Sequence, residues 1–100
     1  MMHPKPARPE RDPAYLALVR DLNCACCGGW PVEAHHPISG RYSQRKAPDR
    51  DAIPLCRIHH QMRHDHPDLW ASIYGPEDAL IEPTRAAVER LRANTIGGRP

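Results

Sequence analysis

Apolar residues fall along this chain in short groups, each just long enough for one element. Tyr15, Leu18, Val19 and Leu22 recur at the i, i+3, i+4, i+7 spacing of an amphipathic helix. Asp12-Pro13, just ahead of them, suits an N-cap followed by proline in the first helical turn. The pattern therefore predicts a helix from Pro13 to about Leu22. "CACCGGW" follows as a tight turn, where Gly28 and Gly29 can take backbone angles closed to other residues. "WPVEAHHPI" predicts a short strand cut off at Pro37, and "AIPLC" a second strand after a long polar and basic stretch. A helix should start near Arg57 and end at Pro67, because the residue before a proline disfavours α geometry. "PDLWASIYG" predicts another turn or two closed by Gly75. A last helix should span about Thr84 to Asn94, with Val88 and Leu91 inward and Gly97-Gly98 beyond its end. Two strands, a long loop and a helix make a β–β–α unit, so the expected fold class is small α+β. No internal repeat is present.

Pro4, Pro6 and Pro9 among charged residues make residues 1–11 read as a flexible arm. Residues 12–96 then form a single domain and 97–100 a tail. With 100 residues, 40 % of them hydrophobic, 5 % aromatic and none Phe, the core is thin. A domain of this size commonly needs an added staple. Four cysteines and seven histidines can supply one. Cys24, Cys26 and Cys27 crowd into four residues, poor geometry for a disulfide framework. "MMHPKPARPERDP" lacks the apolar stretch of a signal peptide, and no run approaches transmembrane length. A reduced, cytoplasmic setting with no membrane partner is expected, and there such cysteines read as metal ligands.

Cys24-x2-Cys27-Gly can turn two thiolates toward one ion, and Cys56-x2-His59 repeats the spacing further along. Two such pairs are the layout of a closed tetrahedral Cys3His zinc site built from Cys24, Cys27, Cys56 and His59. Cys26 could replace either neighbour as a ligand or be a small buried residue. If His59 closes that site, His60 points elsewhere, since successive helical residues differ by about 100°. His60 and His64 share a helix face and could hold one ion together. Opposite them "EAHH" carries Glu33, His35 and His36, of which one histidine could be a ligand while the other reaches a substrate. The plainer reading makes these histidines polar residues on a strand edge and a solvated helix. An open metal site beside an unligated histidine is a hydrolase arrangement. The net charge of +2 does not itself demand a nucleic acid. "GRYSQRKAPDR", however, gathers Arg41, Arg45, Lys46 and Arg50 around one acid, Asp49. That stretch is either solvated surface or a phosphate-contacting loop.

"CACCG", "EAHHPIS", "DAIPLC" and "RIHHQMRH", in that order, resemble the HNH endonucleases, also called ββα-metal or His-Me finger nucleases. The likeness is nearest to compact phage and prophage members of the recombination-enhancement type, and it covers about Asp12 to Trp70. It implies that His36 is the general base and that His35 and His60 are ligands of a single catalytic divalent ion, with His64 as an extra ligand. That ion would be Mg2+ or Mn2+, with Zn2+ or Ni2+ as alternatives, beside the structural Zn2+. Asp51 falls where the family usually carries the asparagine that holds the loop so that the base is oriented. Aspartate there keeps acceptor oxygens but loses the amide donor. Cys-x2-His also stands where the family more often has Cys-x2-Cys.

The resemblance implies a metal-dependent DNA endonuclease that nicks or cleaves with little sequence preference. Arg41, Arg45, Lys46 and Arg57 would contact phosphates. A phage or recombination protein would be a candidate partner, and the chain a monomer or weak dimer. The competing reading is a non-catalytic, zinc-stapled nucleic-acid-binding accessory module, and a weaker one is a histidine-rich metal buffer. The last helix reads as a packing element with a solvated charged face.

Overall fold

The computed structural model describes residues 11–38 and 47–96. Residues 1–10 of the expected 1–11 arm, the tail over 97–100, and Arg41, Arg45 and Lys46 lie outside the described residues. The rest forms a small α+β fold, with four helices around a two-stranded sheet.

Helix α1, Pro13–Arg20, starts as its sequence requires: Asp12 caps it by accepting the Tyr15 N–H, and Pro13 occupies the first turn. It stops at Arg20 rather than near Leu22. The Asp21 and Leu22 N–H groups turn back to Leu18 and Val19 carbonyls, tightening the end into single turns. Tyr15 and Val19 are the residues it buries. The chain then makes the turn at Cys24–Gly29, held by paired backbone bonds from Gly28 N–H to Cys24 and from Cys24 N–H to Gly29. Gly28 sits there at φ +74°, a left-handed angle that a side chain would strain.

Strand β1, Val32–His35, pairs antiparallel with β2, Ile53–Cys56, in the register Val32 opposite Cys56 and His35 opposite Ile53. Both strands are shorter than their apolar patterns predict. His36 lies just past β1, so it is freed from the alternation that directs His35 inward. A one-turn 3-10 helix, Asp49–Asp51, leads into β2. Helix α2, Arg57–Asp65, begins directly at the end of β2, completing the expected β–β–α order. Pro67 ends it and opens α3, Pro67–Tyr74, which Gly75 closes at φ +82°.

A second 3-10 helix, Glu77–Leu80, runs into α4, Ile81–Ile96, longer at both ends than the predicted Thr84–Asn94. Pro83 is tolerated because it sits in the first turn, where N–H groups have no intrahelical partner. The core has two parts. Cys24, Val32, Ile53, Leu55, Trp70 and Ile81 form one buried cluster, while Tyr15, Val19 and Val88 join α1 to α4. Leu91 is only half-buried, short of the inward position predicted for it. No helix among the described residues is long and apolar enough to cross a membrane.

Candidate metal centres

Among the described residues, two clusters of ligand-type side chains draw on α2. The first joins Cys24 and Cys27 from the glycine turn, Cys56 at the end of β2 and His59 from the first turn of α2, as their spacing predicts. All four ligand atoms lie within 4.8 Å of one another. Cys27 Sγ and Cys56 Sγ are 3.8 Å apart, Cys24 Sγ and His59 Nδ1 3.9 Å, and Cys56 Sγ and His59 Nδ1 3.2 Å. A tetrahedral ion with zinc's bond lengths separates such donors by roughly 3.6 to 3.8 Å. The residues therefore fit one closed, four-coordinate ion.

Backbone groups favour the thiolate form. Cys26 N–H and Gly29 N–H each point at a sulfur, Cys24 Sγ and Cys27 Sγ, at 3.4 Å. Burial alone would raise the Cys24 thiol, but the N–H groups of Cys56, Cys27 and Cys26 outweigh it and hold that thiol below its usual value. Cys26 behaves oppositely. Burial, reinforced by the neighbouring thiolates, pushes it up to about 12, so it stays protonated. It packs against the core and lies outside the cluster of Cys24, Cys27, Cys56 and His59. Behind His59, Nε2 meets the Tyr74 hydroxyl at 3.0 Å, and the two rings pack edge to face. Tyr74 carried no sequence signal, because its role depends on how α3 folds back on α2.

The second cluster joins His35 from β1 with His60 and His64, one turn apart on α2, again with ligand atoms within 4.8 Å. Its ring centroids are 4.9 Å (His35–His60), 5.2 Å (His60–His64) and 6.0 Å (His35–His64) apart. His35 is 2 % exposed, and its Nε2 lies 2.8 Å from Glu77 Oε1. Burial lowers the His35 pKa despite Glu77 beside it, so the imidazole is neutral and donates Nε2–H to the carboxylate. Burial would raise Glu77, yet its bonds from His35, Arg63 and the Ile38 N–H hold it down at about 2. His60 Nδ1 is held in turn by Glu33 Oε1 at 2.6 Å. That leaves Nδ1 of His35 and Nε2 of His60 as the nitrogens not engaged by carboxylates. His64 is exposed and completes a three-imidazole set that could hold an ion with coordination positions to spare.

Immediately after His35, His36 turns aside and places Nε2 2.8 Å from Asp49 Oδ1. The other Asp49 oxygen accepts the Asp12 N–H at 2.7 Å, fixing the carboxylate. The aspartate bonded to His36 is thus Asp49, which the motif did not single out. Asp51, 6 % exposed, instead accepts from Arg85 of α4. The reason is local: in the single 3-10 turn Asp49–Asp51, residues two apart face different sides. Asp49 was visible in the sequence as the one acid of a basic stretch. Glu77 was not, lying 42 residues from His35 and outside every motif. Arg57 is exposed at the first position of α2.

The family described as "Protein of unknown function (DUF968)" matches residues 1–87. The chain is also 35 % identical over 69 residues to the Escherichia coli (strain K12) protein described as "Uncharacterized protein YdfU". That stretch is 67 % of this chain and 20 % of the relative, so the chain spans about a fifth of that protein's length. No solved structure matches the chain.

Proposed function

The chain belongs to the DUF968 family, and from its two side-chain centres we propose that it is a metal-dependent DNA endonuclease of the HNH, or ββα-metal, type. One observation carries the reading: a histidine oriented by a carboxylate, His36 on Asp49, directly follows a buried member of a three-histidine cluster. An aligned base beside an open metal site is what phosphodiester hydrolysis needs. Cys24, Cys27, Cys56 and His59 would then hold a structural Zn2+, and His35, His60 and His64 would hold Mg2+, Mn2+ or a similar divalent ion.

Such an ion supplies a Lewis acid for charge on the phosphate and on the departing 3′ oxygen. The chain's own part is proton handling and alignment. Asp49 accepts the Nε2–H of His36, which leaves the Nδ1 lone pair to take a proton from water as its oxygen bonds to phosphorus. The bond from phosphorus to the 3′ oxygen breaks, and that oxygen gains a proton from solvent. Arg57, with the basic stretch of Arg41, Arg45 and Lys46, serves DNA phosphates without reading bases, which suits nicking of low sequence specificity. A phage or recombination setting follows from the same likeness.

One observation favours the alternative, a zinc-stapled nucleic-acid-binding module without catalysis: Asp51, at the motif's asparagine position, is paired with Arg85. Supercoiled plasmid with Mg2+ or Mn2+ decides between them. The nuclease reading expects nicking by the wild type and a loss of about 10²- to 10⁴-fold in His36→Ala. Plasmid left equally intact by both proteins would sink it.

A further inference from the structure

Glu77 belongs to neither strand nor to α2, yet it is a buried carboxylate with three hydrogen-bond partners beside the second centre. Only 4 % exposed, it uses Oε1 for His35 Nε2 at 2.8 Å. Its Oε2 takes Arg63 of α2 at 2.6 Å and the Ile38 N–H at 3.0 Å. Three separate segments are thereby tied to one side chain: the end of β1, the chain just past His36, and the C-terminal half of α2.

A neutral imidazole has one N–H and one lone pair, and a carboxylate can only accept. Whichever nitrogen faces Glu77 must therefore carry the proton, and the opposite one must carry the lone pair. We propose that Glu77 is the positioning residue of the second centre, fixing the His35 proton on Nε2 so that Nδ1 is presented to a divalent cation. The proposal rests on the reading of His35, His60 and His64 as a metal site. A carboxylate behind a ligating histidine orients the ring and raises its basicity, and losing one commonly weakens metal binding 10- to 100-fold. Glu33 holds His60 in the same manner but is exposed, with 54 % of its side chain in solvent. Glu77 is the buried and triply bonded member of the pair. A further consequence is that the site depends on the segment after α3, beyond the ββα unit.

A plain structural ion pair between Arg63 and Glu77 makes a different forecast, so two variants and one spectrum separate the two. Protein holding one zinc is titrated with Ni2+ by calorimetry, and the histidine ring nitrogens are followed by 15N NMR before metal is added. Wild type should show His35 as the Nε2–H tautomer and bind one further Ni2+. Glu77→Gln should keep its zinc, lose the single tautomer and bind Ni2+ 10- to 100-fold more weakly. Arg63→Met, which breaks the ion pair but leaves His35 on Glu77, should keep the tautomer and bind within about threefold of wild type. An Nδ1–H tautomer in wild type overturns the proposal even if Glu77→Gln fails to fold. Equal Ni2+ affinity in wild type and Glu77→Gln overturns it while leaving the metal reading standing. Wild type that takes up no Ni2+ beyond its zinc overturns the metal reading and this proposal with it.

Discussion

The cluster at Cys24, Cys27, Cys56 and His59 and the cluster at His35, His60 and His64 draw on the same helix, through adjacent residues. Their donor sets differ in number, softness and backing. Four donors, three of them sulfur, close a tetrahedron and leave no position for a substrate. Three imidazoles leave positions open and suit a borderline divalent ion such as Zn2+ or Ni2+. The backing follows the same division. The first cluster has N–H groups aimed at sulfur and a neutral hydroxyl behind His59, whereas carboxylates stand behind His35 and His60. A helix that changes direction by about 100° per residue thus turns His59 to one cluster and His60 to the other, under the proposed function a fold-holding centre and a reactive one.

The harshest way to break this division is to remove one histidine at a time. A structural zinc contributes roughly 10 to 16 kcal/mol in small metal-folded units, as much as the whole stability of an ordinary domain. His59→Ala should therefore abolish the cooperative thermal transition seen by circular dichroism. His60→Ala should keep that transition and lose plasmid nicking. The reverse pattern would refute the assignment of the two centres.

Next in size is a test of which aspartate serves the base. Asp49→Asn keeps an acceptor for the His36 N–H but can rotate its amide to offer a donor, favouring the wrong tautomer. Nicking should fall about 10²- to 10³-fold with the fold intact. Asp51→Asn should leave the rate within about threefold and cost roughly 1 kcal/mol in urea unfolding, because its partner Arg85 is partly solvated. Equal losses of rate would return Asp51 to the base.

That pair of aspartates also marks where sequence reading reaches its limit. Helix α1 with its Asp12 cap, the ββα order and the four-donor cluster were legible, because each rests on contacts a few residues apart or on a repeated spacing. Helical periodicity separates His60 from His59, whereas the roles of His35 and His36 rest on the family resemblance, because His36 lies just past β1. The Asp49 bond to His36 has no sequence signal, since a single 3-10 turn sets the facing of Asp49 and Asp51 and no periodicity reveals it. Glu77 and Tyr74 were invisible, because both act through helix α3 folding back, a tertiary event with no local pattern.

Acid should separate the two backings. The Glu77 carboxyl sits at about 2 in the folded chain against 4.5 for the ordinary group. The unfolded chain thus binds this proton first, and the stability Glu77 contributes is present above about pH 4.5 and lost as pH falls toward about 2. The loss is at most roughly 3 kcal/mol. His35, lowered by burial, adds a loss of the same sign as pH falls below 6.5. Urea midpoints for wild type should drop more steeply between pH 5 and pH 3 than those for Glu77→Gln. Parallel slopes would mean that Glu77 is not held ionised.

The smallest expected effect falls on the outer partner of the first centre. Tyr74→Phe removes one neutral hydrogen bond to His59 Nε2 while keeping the ring that packs on it edge to face. Zinc should be held about tenfold more weakly in competition with a chelator, near 1.4 kcal/mol. Ni2+ binding at the second centre should not change, because the lost hydroxyl bonds His59, while Glu77 and Glu33 still stand behind His35 and His60. If Tyr74→Phe weakened the second centre as well, the adjacent His59 and His60 would be moving as one unit. The division between a holding centre and a working centre would then describe their ligands but not their energetics.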